Sequence, residues 1–239
     1  MAPFPTLLAY CVAAWVCTSA QASFDSPGIR ARSELEALQL RLDKQSKTIG
    51  PTSRAFLKGL EHFELGNYAE AVESFSVLIK GVPDAALAYV LRGDAYLWWR
   101  KPHEAIADYD QAQRLGERRP ETMVRLHVHR ARARIGMQDH EGAIIDLDAA
   151  LRIGPESADA LRWRAVAHES LGRFQAALAD YDAFFRIAEV SGSTAAFLRA
   201  ARANVLLRLH EYPRAIDDLK QALSTDPQNL GYLKNLAYV

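Results

Sequence analysis

Hydrophobic residues between positions 86 and 119 recur at the intervals of three and four residues that are typical of amphipathic helices. Leu87 and Val90 lie on one side of a first predicted helix, and Ala105 begins the apolar side of a second. Pro102 interrupts the pattern between them, and proline suits the first turn of a new helix. Because neither helix could cover its apolar side alone, the segment predicts a helix–turn–helix unit that packs against similar units.

The same pattern of 34 residues occurs five times along the chain without internal gaps. The blocks are 52–85, 86–119, 124–157, 158–191 and 196–229, and a partial sixth unit occupies 230–239. Spacers of four residues, 120–123 and 192–195, follow the second and fourth blocks. Each spacer is long enough for about one extra helical turn.

Three apolar columns recur at fixed places in the blocks. The first helices carry small residues at Gly59, Gly93, Ala131, Ala165 and Ala203. Twelve residues further on, the second helices carry Ala71, Ala105, Ala143, Ala177 and Ala215. Large residues follow at Phe75, Tyr109, Leu147, Tyr181 and Leu219. Paired small residues let two helices approach closely, and we expect the large residues to fill the space between blocks.

A charged pattern accompanies the apolar columns. Each first helix has a basic residue at one place, namely Lys58, Arg92, Arg130, Arg164 and Arg202. Each second helix has a matching position, occupied by Ser74, Asp108, Asp146, Asp180 and Asp218. Asp occurs wherever the basic residue is Arg, which predicts a repeated structural Arg–Asp pair between packed helices. An anion site lined by arginines is the alternative.

The period of 34 and the joint recurrence of these columns resemble the tetratricopeptide repeat (TPR), over residues 52–239. The resemblance implies an all-α fold, a right-handed α-solenoid of stacked helix–turn–helix repeats. It also implies a concave groove, lined by the first helices, that binds a segment of a protein or peptide partner. Some TPR proteins grip an acidic C-terminus through Lys and Asn, but Phe56 and Leu60 stand where the first of those residues would be needed. Binding of a chaperone tail in that manner is not expected.

Candidate partner-binding residues lie on the side of the first helix opposite its small residue. They are Phe56, Leu60, Phe63, Val90, Asp94, Leu97, Arg125, Arg132, Arg162, Glu169 and Asn204. The predicted groove is apolar at its N-terminal end and more charged from the third block on, which suits a partner segment with an apolar stretch and some acidic groups. The alternative is that many of these positions are solvated or pack between repeats. Trp163 is open to two interpretations, packing between repeats or an aromatic platform for a ligand.

Residues 1–22 contain no Lys, Arg, Asp or Glu, an apolar stretch at 7–17 and an A-x-A pattern at 20–22. This predicts a signal peptide, with export to the periplasm of a bacterium or secretion. A retained membrane anchor is the alternative, although the apolar stretch is shorter than the ~20 residues of a spanning helix. Both cysteines, Cys11 and Cys17, lie in this segment, so the mature chain would have no disulfide.

Residues 23–51 predict a linker and a capping helix at 33–46, or else a partner-binding arm.

Charge and motifs narrow the range of functions. The 29 basic and 29 acidic residues balance, and the arginines of the basic run 125–134 point to different sides of a helix, so we expect no nucleic-acid partner. His127 and His129 are two residues apart and cannot chelate a metal from one side of a helix. No phosphate loop, nucleophile elbow or metal-ligand spacing occurs in the sequence, so we expect no cofactor, no metal and no enzymatic activity.

The expected function is that of a protein-interaction scaffold or adaptor in the cell envelope. A regulatory or accessory subunit of an envelope enzyme or assembly complex is the alternative. No membrane span is expected in the mature chain. The last segment, 230–239, predicts one helix whose Leu233, Leu236 and Tyr238 have no second helix to cover them. It would dock on the fifth block as a cap or pair with a second molecule in a homodimer.

Overall fold

The computed structural model describes residues 50–237, and this part of the chain consists of helices and turns with no strand. The helices are α1 (Pro51–Glu64), α2 (Tyr68–Gly81), α3 (Ala86–Trp98), α4 (Pro102–Arg114), α5 (Pro120–Gly136), α6 (His140–Ile153), α7 (Ala158–Ser170), α8 (Phe174–Ile187), α9 (Gly192–Arg208), α10 (Tyr212–Thr225) and α11 (Leu230–Ala237). The predicted all-α repeat fold is confirmed. The predicted signal peptide, the capping helix at 33–46 and Tyr238 lie outside the described residues.

The helices form two compact units that divide between Thr122 and Met123. In unit 1, α1 packs against α2 and α3 against α4, while α2 also contacts α3. In unit 2, the same order continues, since α6 contacts α7, α7 contacts α8, α8 contacts α9, and α9 contacts α10. Each block of 34 residues therefore contains one antiparallel helical hairpin, and hairpins within a unit stack on their neighbours.

The two spacers lengthen the helices that follow them. Helices α5 and α9 each have 17 residues, whereas α3 and α7 each have 13. Residues 120–123 and 192–195 form the added first turn in each case, as the spacer length predicts.

The small and large columns pack together inside each hairpin. Ala105 and Tyr109 are fully buried. A Cβ atom added to Gly93 would lie only 2.8 Å from Cε1 of Tyr109. Gly59 meets the ring of Phe75 in the same way. In these two hairpins the large residue thus contacts the small residue of its own hairpin, and Phe75 also packs in one cluster with Leu87 and Leu91 of the next block, as expected.

The hairpin turns share one backbone conformation with different residues. In each turn, the second residue after the end of the first helix has a positive φ. The values are 77° at Gly66, 58° at Arg100, 64° at Gln138, 71° at Gly172 and 61° at His210. At the first of these turns, the amide of Asn67 donates to the carbonyl of His62, which closes the helix end. Only two of the five positions are glycine, so three hairpins carry a side chain in the left-handed region.

The last helix docks on the fifth hairpin. Helix α11 contacts α10, and Tyr232 packs against a cluster formed by Ala196, Ala200 and Ala222. Docking of residues 230–237 on the fifth hairpin is therefore confirmed, and both a capping role and pairing with a second molecule stay predictions.

Candidate functional site

Five of the predicted partner-binding residues belong to the core. They are Phe56, Leu60, Phe63, Val90 and Asp94, all of which are buried. The first three pack in one hydrophobic cluster with residues of α2 and α3. Asp94 accepts a hydrogen bond of 2.8 Å from the hydroxyl of Tyr109. We therefore leave these side chains out of the candidate surface, because they offer a partner almost no accessible area.

The other predicted residues keep more accessible surface. Leu97 of unit 1 is half-buried, as are Arg125, Arg132, Arg162 and Glu169 of unit 2, while Asn204 is exposed. The five in unit 2 lie on its first helices, α5, α7 and α9. The accessible candidates are thus mainly polar and concentrated in unit 2. The surface formed by these five residues is called the first-helix surface of unit 2.

Trp163 lies between two arginines of this surface. The guanidinium carbon of Arg132 is 5.0 Å from the centre of the indole ring, and that of Arg162 is 4.8 Å from it. Such distances allow cation–π attraction. Arg162 also donates to Asp159 at 3.0 Å. The indole Nε1 of Trp163 is buried and has no hydrogen-bond partner among the described residues. Trp163 was open to two interpretations, packing between repeats and an aromatic platform for a ligand. Both are compatible with this arrangement, because the ring is partly packed and also borders the candidate surface.

Glu169 is the acidic member of the surface. The hydroxyl of Tyr181 donates to its carboxylate at 3.4 Å. Burial raises the pKa of Glu169 more than this hydrogen bond lowers it. Burial also raises the pKa of Tyr181, which stays protonated. The negative charge of Glu169 is therefore lost at a higher pH than that of an exposed glutamate, and the arginines then dominate this surface.

An exposed aromatic side chain on α9 extends the surface. Phe197 is 64% exposed. It lies seven residues before Asn204, which is two helical turns away on the same side of the helix. The sequence-based selection missed Phe197, although a large aromatic residue on that side of a first helix was a usable signal. The surface therefore combines cationic, amide and aromatic groups.

The Arg–Asp pattern corresponds to structural ion pairs between the two helices of a hairpin, as the sequence predicts. We call this repeated set of pairs the ladder. Each Asp accepts two hydrogen bonds from one guanidinium in the pairs Arg92–Asp108, Arg130–Asp146, Arg164–Asp180 and Arg202–Asp218. The shortest N–O distances in these pairs run from 2.6 to 2.8 Å. Because each guanidinium is engaged by a carboxylate that is nearly or fully buried, the alternative of an arginine-lined anion site is wrong.

The ladder also links neighbouring hairpins, which sequence reasoning did not foresee. A third guanidinium nitrogen, Nη1, reaches the second helix of the preceding hairpin in three cases. The contacts are Arg92 to Ser76 at 3.0 Å, Arg164 to Asp148 at 2.7 Å, and Arg202 to Asp182 at 2.9 Å. One arginine therefore joins three helices.

Asp146 has two additional neighbours, His127 and Arg134. Nδ1 of His127 lies 3.0 Å from its carboxylate, and Arg134 donates to it at 2.8 Å. Burial alone would raise the pKa of Asp146, but the hydrogen bonds from His127 and Arg130 and the charges of Arg130 and Arg134 lower it overall. The buried His127 is thus part of the ladder.

A metal-ligand cluster and a membrane-spanning helix are both absent from residues 50–237. This part of the chain has no group of three or more His, Cys, Asp or Glu residues that could hold a metal ion. None of its helices is both long enough and apolar enough to cross a membrane.

Comparisons with known proteins agree with the geometry. A family model described as "Tetratricopeptide repeat" matches residues 56–120 and 129–189. A DnaJ homolog subfamily C member 7 homolog from Schizosaccharomyces pombe is 26% identical over 136 residues. That match covers 52% of this chain and 29% of the relative, so the chain spans less than a third of the relative's length.

Solved structures resemble the fold at low sequence identity. The crystal structure of MamA protein has a TM-score of 0.61 at 17% identity, covering 76% of this chain and 95% of that chain. YrrB, described as "a TPR protein with an unusual peptide-binding site", has a TM-score of 0.61 at 15% identity over 84% of this chain and 97% of that chain. The APC/C hetero-tetramer Cut9–Hcn1 gives a TM-score of 0.67 at 16% identity, over 86% of this chain and 39% of that chain. These likenesses show the fold alone, and together with the family match they lead to one conclusion: the chain belongs to the tetratricopeptide repeat family.

Proposed function

We propose that this protein is an interaction scaffold or adaptor that binds a segment of a partner protein on the first-helix surface of unit 2. One observation carries the proposal: Arg132 and Arg162 lie beside Trp163, and the exposed Phe197 and Asn204 lie on α9 of the same unit. Aromatic and arginine side chains are the groups that contribute most to binding energy in protein interfaces. YrrB, which has a similar fold, is described as having a peptide-binding site, and this supports the same class of function.

The chemistry of the surface indicates the kind of partner segment. An acidic side chain would add a charge-assisted contact to the arginines beside Trp163, next to the bond that Arg162 already makes with Asp159, and an apolar residue would cover Phe197. We therefore propose a segment that combines an apolar stretch with acidic groups. The predicted signal peptide at 1–22 supports a location in the cell envelope, in the periplasm or outside the cell.

Site-specific photo-crosslinking in the native compartment tests the proposal. A photoreactive phenylalanine analogue replaces Phe197 in one strain and Ile145 in another. Both side chains are exposed, but Ile145 lies on α6, a second helix. We expect a crosslinked partner from position 197 and none from position 145. Equal capture at both positions would contradict the proposal.

Charge reversal then tests the chemistry of the segment. The double variant Arg132→Glu and Arg162→Glu should abolish the crosslink at position 197, while circular dichroism shows an unchanged helical content. Reversal of Arg173, an exposed residue that pairs with Glu141 on α6, serves as the matched control and should leave the crosslink intact. If a single enzyme were captured in stoichiometric amount, the accessory-subunit function would replace the scaffold function.

A further inference from the structure

Two first helices of unit 2 are held to the preceding hairpin by an ion pair. Arg164 of α7 donates to Asp148 of α6 at 2.7 Å, and Arg202 of α9 donates to Asp182 of α8 at 2.9 Å. These two contacts lie at one place in the repeat, so α7 and α9 are linked in the same way to the second helix before them.

Helix α11 occupies the next first-helix position without this link. The place of Arg164 and Arg202 is taken by Leu236, and the place of Asp148 and Asp182 is taken by Lys220. The change affects both partners of the link at once. Helix α11 is therefore attached by apolar and neutral polar contacts only, as far as its described residues show.

The attachment of α11 is small. The helix has eight residues, and none of them is buried. Tyr232 packs on Ala196, Ala200 and Ala222, while Nδ2 of Asn235 donates to Oδ1 of Asn204 at 2.6 Å. The apolar Leu230 remains 81% exposed. A helix of this length is not stable alone in water, so a detached α11 requires a new surface on which to fold.

We infer that α11 exchanges between two copies of this chain. The surface left by a detached α11 is shaped for the same helix from a second copy, because Tyr232 and Asn235 would make identical contacts there. The segment 226–229 is the hinge. Asn229 donates to Asp226 through its side-chain and backbone amides, and the backbone amides of Gly231 and Tyr232 donate to Oδ1 of Asn229, so the hydrogen bonds at the hinge are local. Reciprocal exchange closes a two-fold dimer, with no open end for further growth.

Crosslinking between two single-cysteine chains tests the exchange. One full-length chain carries Asn204→Cys and the other Asn235→Cys, and both carry Cys11→Ser and Cys17→Ser so that each has one thiol. The chains are tagged differently, mixed and treated with a short bismaleimide. Chance encounters link like and unlike positions alike, so a 204–235 link between chains that exceeds the links between like positions reports exchange. We expect a mixed dimer whose fraction rises with protein concentration.

A matched variant restores the missing link. Lys220→Asp with Leu236→Arg, placed in both single-cysteine chains, recreates the pair found at Arg164 and Arg202. It should lower the rate of mixed-dimer formation about fivefold, the effect of one half-exposed ion pair. Light scattering of the unsubstituted chain provides a measurement free of cysteine variants and should show a dimer fraction that grows with concentration.

Three results would overturn the inference. The first is the absence of a 204–235 link between chains, and the second is a link between like positions only. The third is a monomer mass at every concentration tested. Equal exchange by the Lys220→Asp/Leu236→Arg variant would likewise show that the missing ion pair does not govern the attachment of α11.

Discussion

Removal of Arg164 should destabilise unit 2 strongly. Its guanidinium bonds both carboxylate oxygens of Asp180, at 2.9 and 2.6 Å, and Asp148 at 2.7 Å. The Asp180 side chain is only 6% exposed, so Arg164→Met leaves a buried carboxylate without its main partner. His168 is a poor substitute, because it lies 4.0 Å from Asp180 and burial lowers its pKa.

The size of the effect follows from burial. Breaking a buried pair costs about 3–5 kcal/mol, and the lower end applies here because water reaches the Arg164 side chain, which is 25% exposed. We therefore expect a loss of about 3 kcal/mol in the free energy of unfolding. Asp180→Asn should cost less, because it leaves a cation that has access to water and to Asp148.

Urea unfolding followed by far-ultraviolet circular dichroism measures the two single variants and the double variant. We expect a coupling energy of about 2 kcal/mol between Arg164 and Asp180. The matched control is the cycle on Arg173 and Glu141, whose side chains are 46% and 59% exposed, and it should give less than about 1 kcal/mol. Equal coupling in the two cycles would refute the reasoning that burial gives the ladder its strength.

Three further substitutions test other features of the fold. Ala105→Leu should cost about 1–3 kcal/mol in urea unfolding by overfilling the helix crossing, whereas the exposed Ala107→Leu should change stability by less than about 0.5 kcal/mol. Gln138→Gly should raise the melting temperature by relieving a positive φ, and Gly172→Ala should lower it. Asp146→Asn should cost about 2 kcal/mol at neutral pH. Because the folded pKa of Asp146 lies below its unfolded value, this stabilisation is lost as the pH falls through the folded pKa, so the difference from the unsubstituted chain should shrink below about pH 4.

The repeat architecture was predictable because one pattern recurs. A single hairpin with Ala105 and Tyr109 is ambiguous, but five aligned copies fix which residues meet inside each hairpin. The Arg–Asp pairs were predictable for the same reason, since the two residue types vary together from block to block.

Contacts between hairpins were less predictable. The bond from Arg164 to Asp148 depends on how one hairpin stacks on the next, and the columns of a single repeat do not contain that geometry. Burial of Asp94 was missed for a similar reason, because its position looks accessible on an isolated helix. Phe197 was missed because the selection on α9 took Asn204 and left out the position two turns earlier on the same side of that helix.

The left-handed turn residues have a consequence for how this chain can diversify. Arg100, Gln138 and His210 show that the tips of the hairpins accept side chains of quite different chemistry at a cost of only about 1–2 kcal/mol each. Those tips lie away from the packed columns, so a change there alters what the molecule presents without disturbing how its hairpins stack. The turn position of each hairpin therefore tolerates substitution. Mutation during evolution, or protein engineering, can introduce new binding residues there in one hairpin without changing the others.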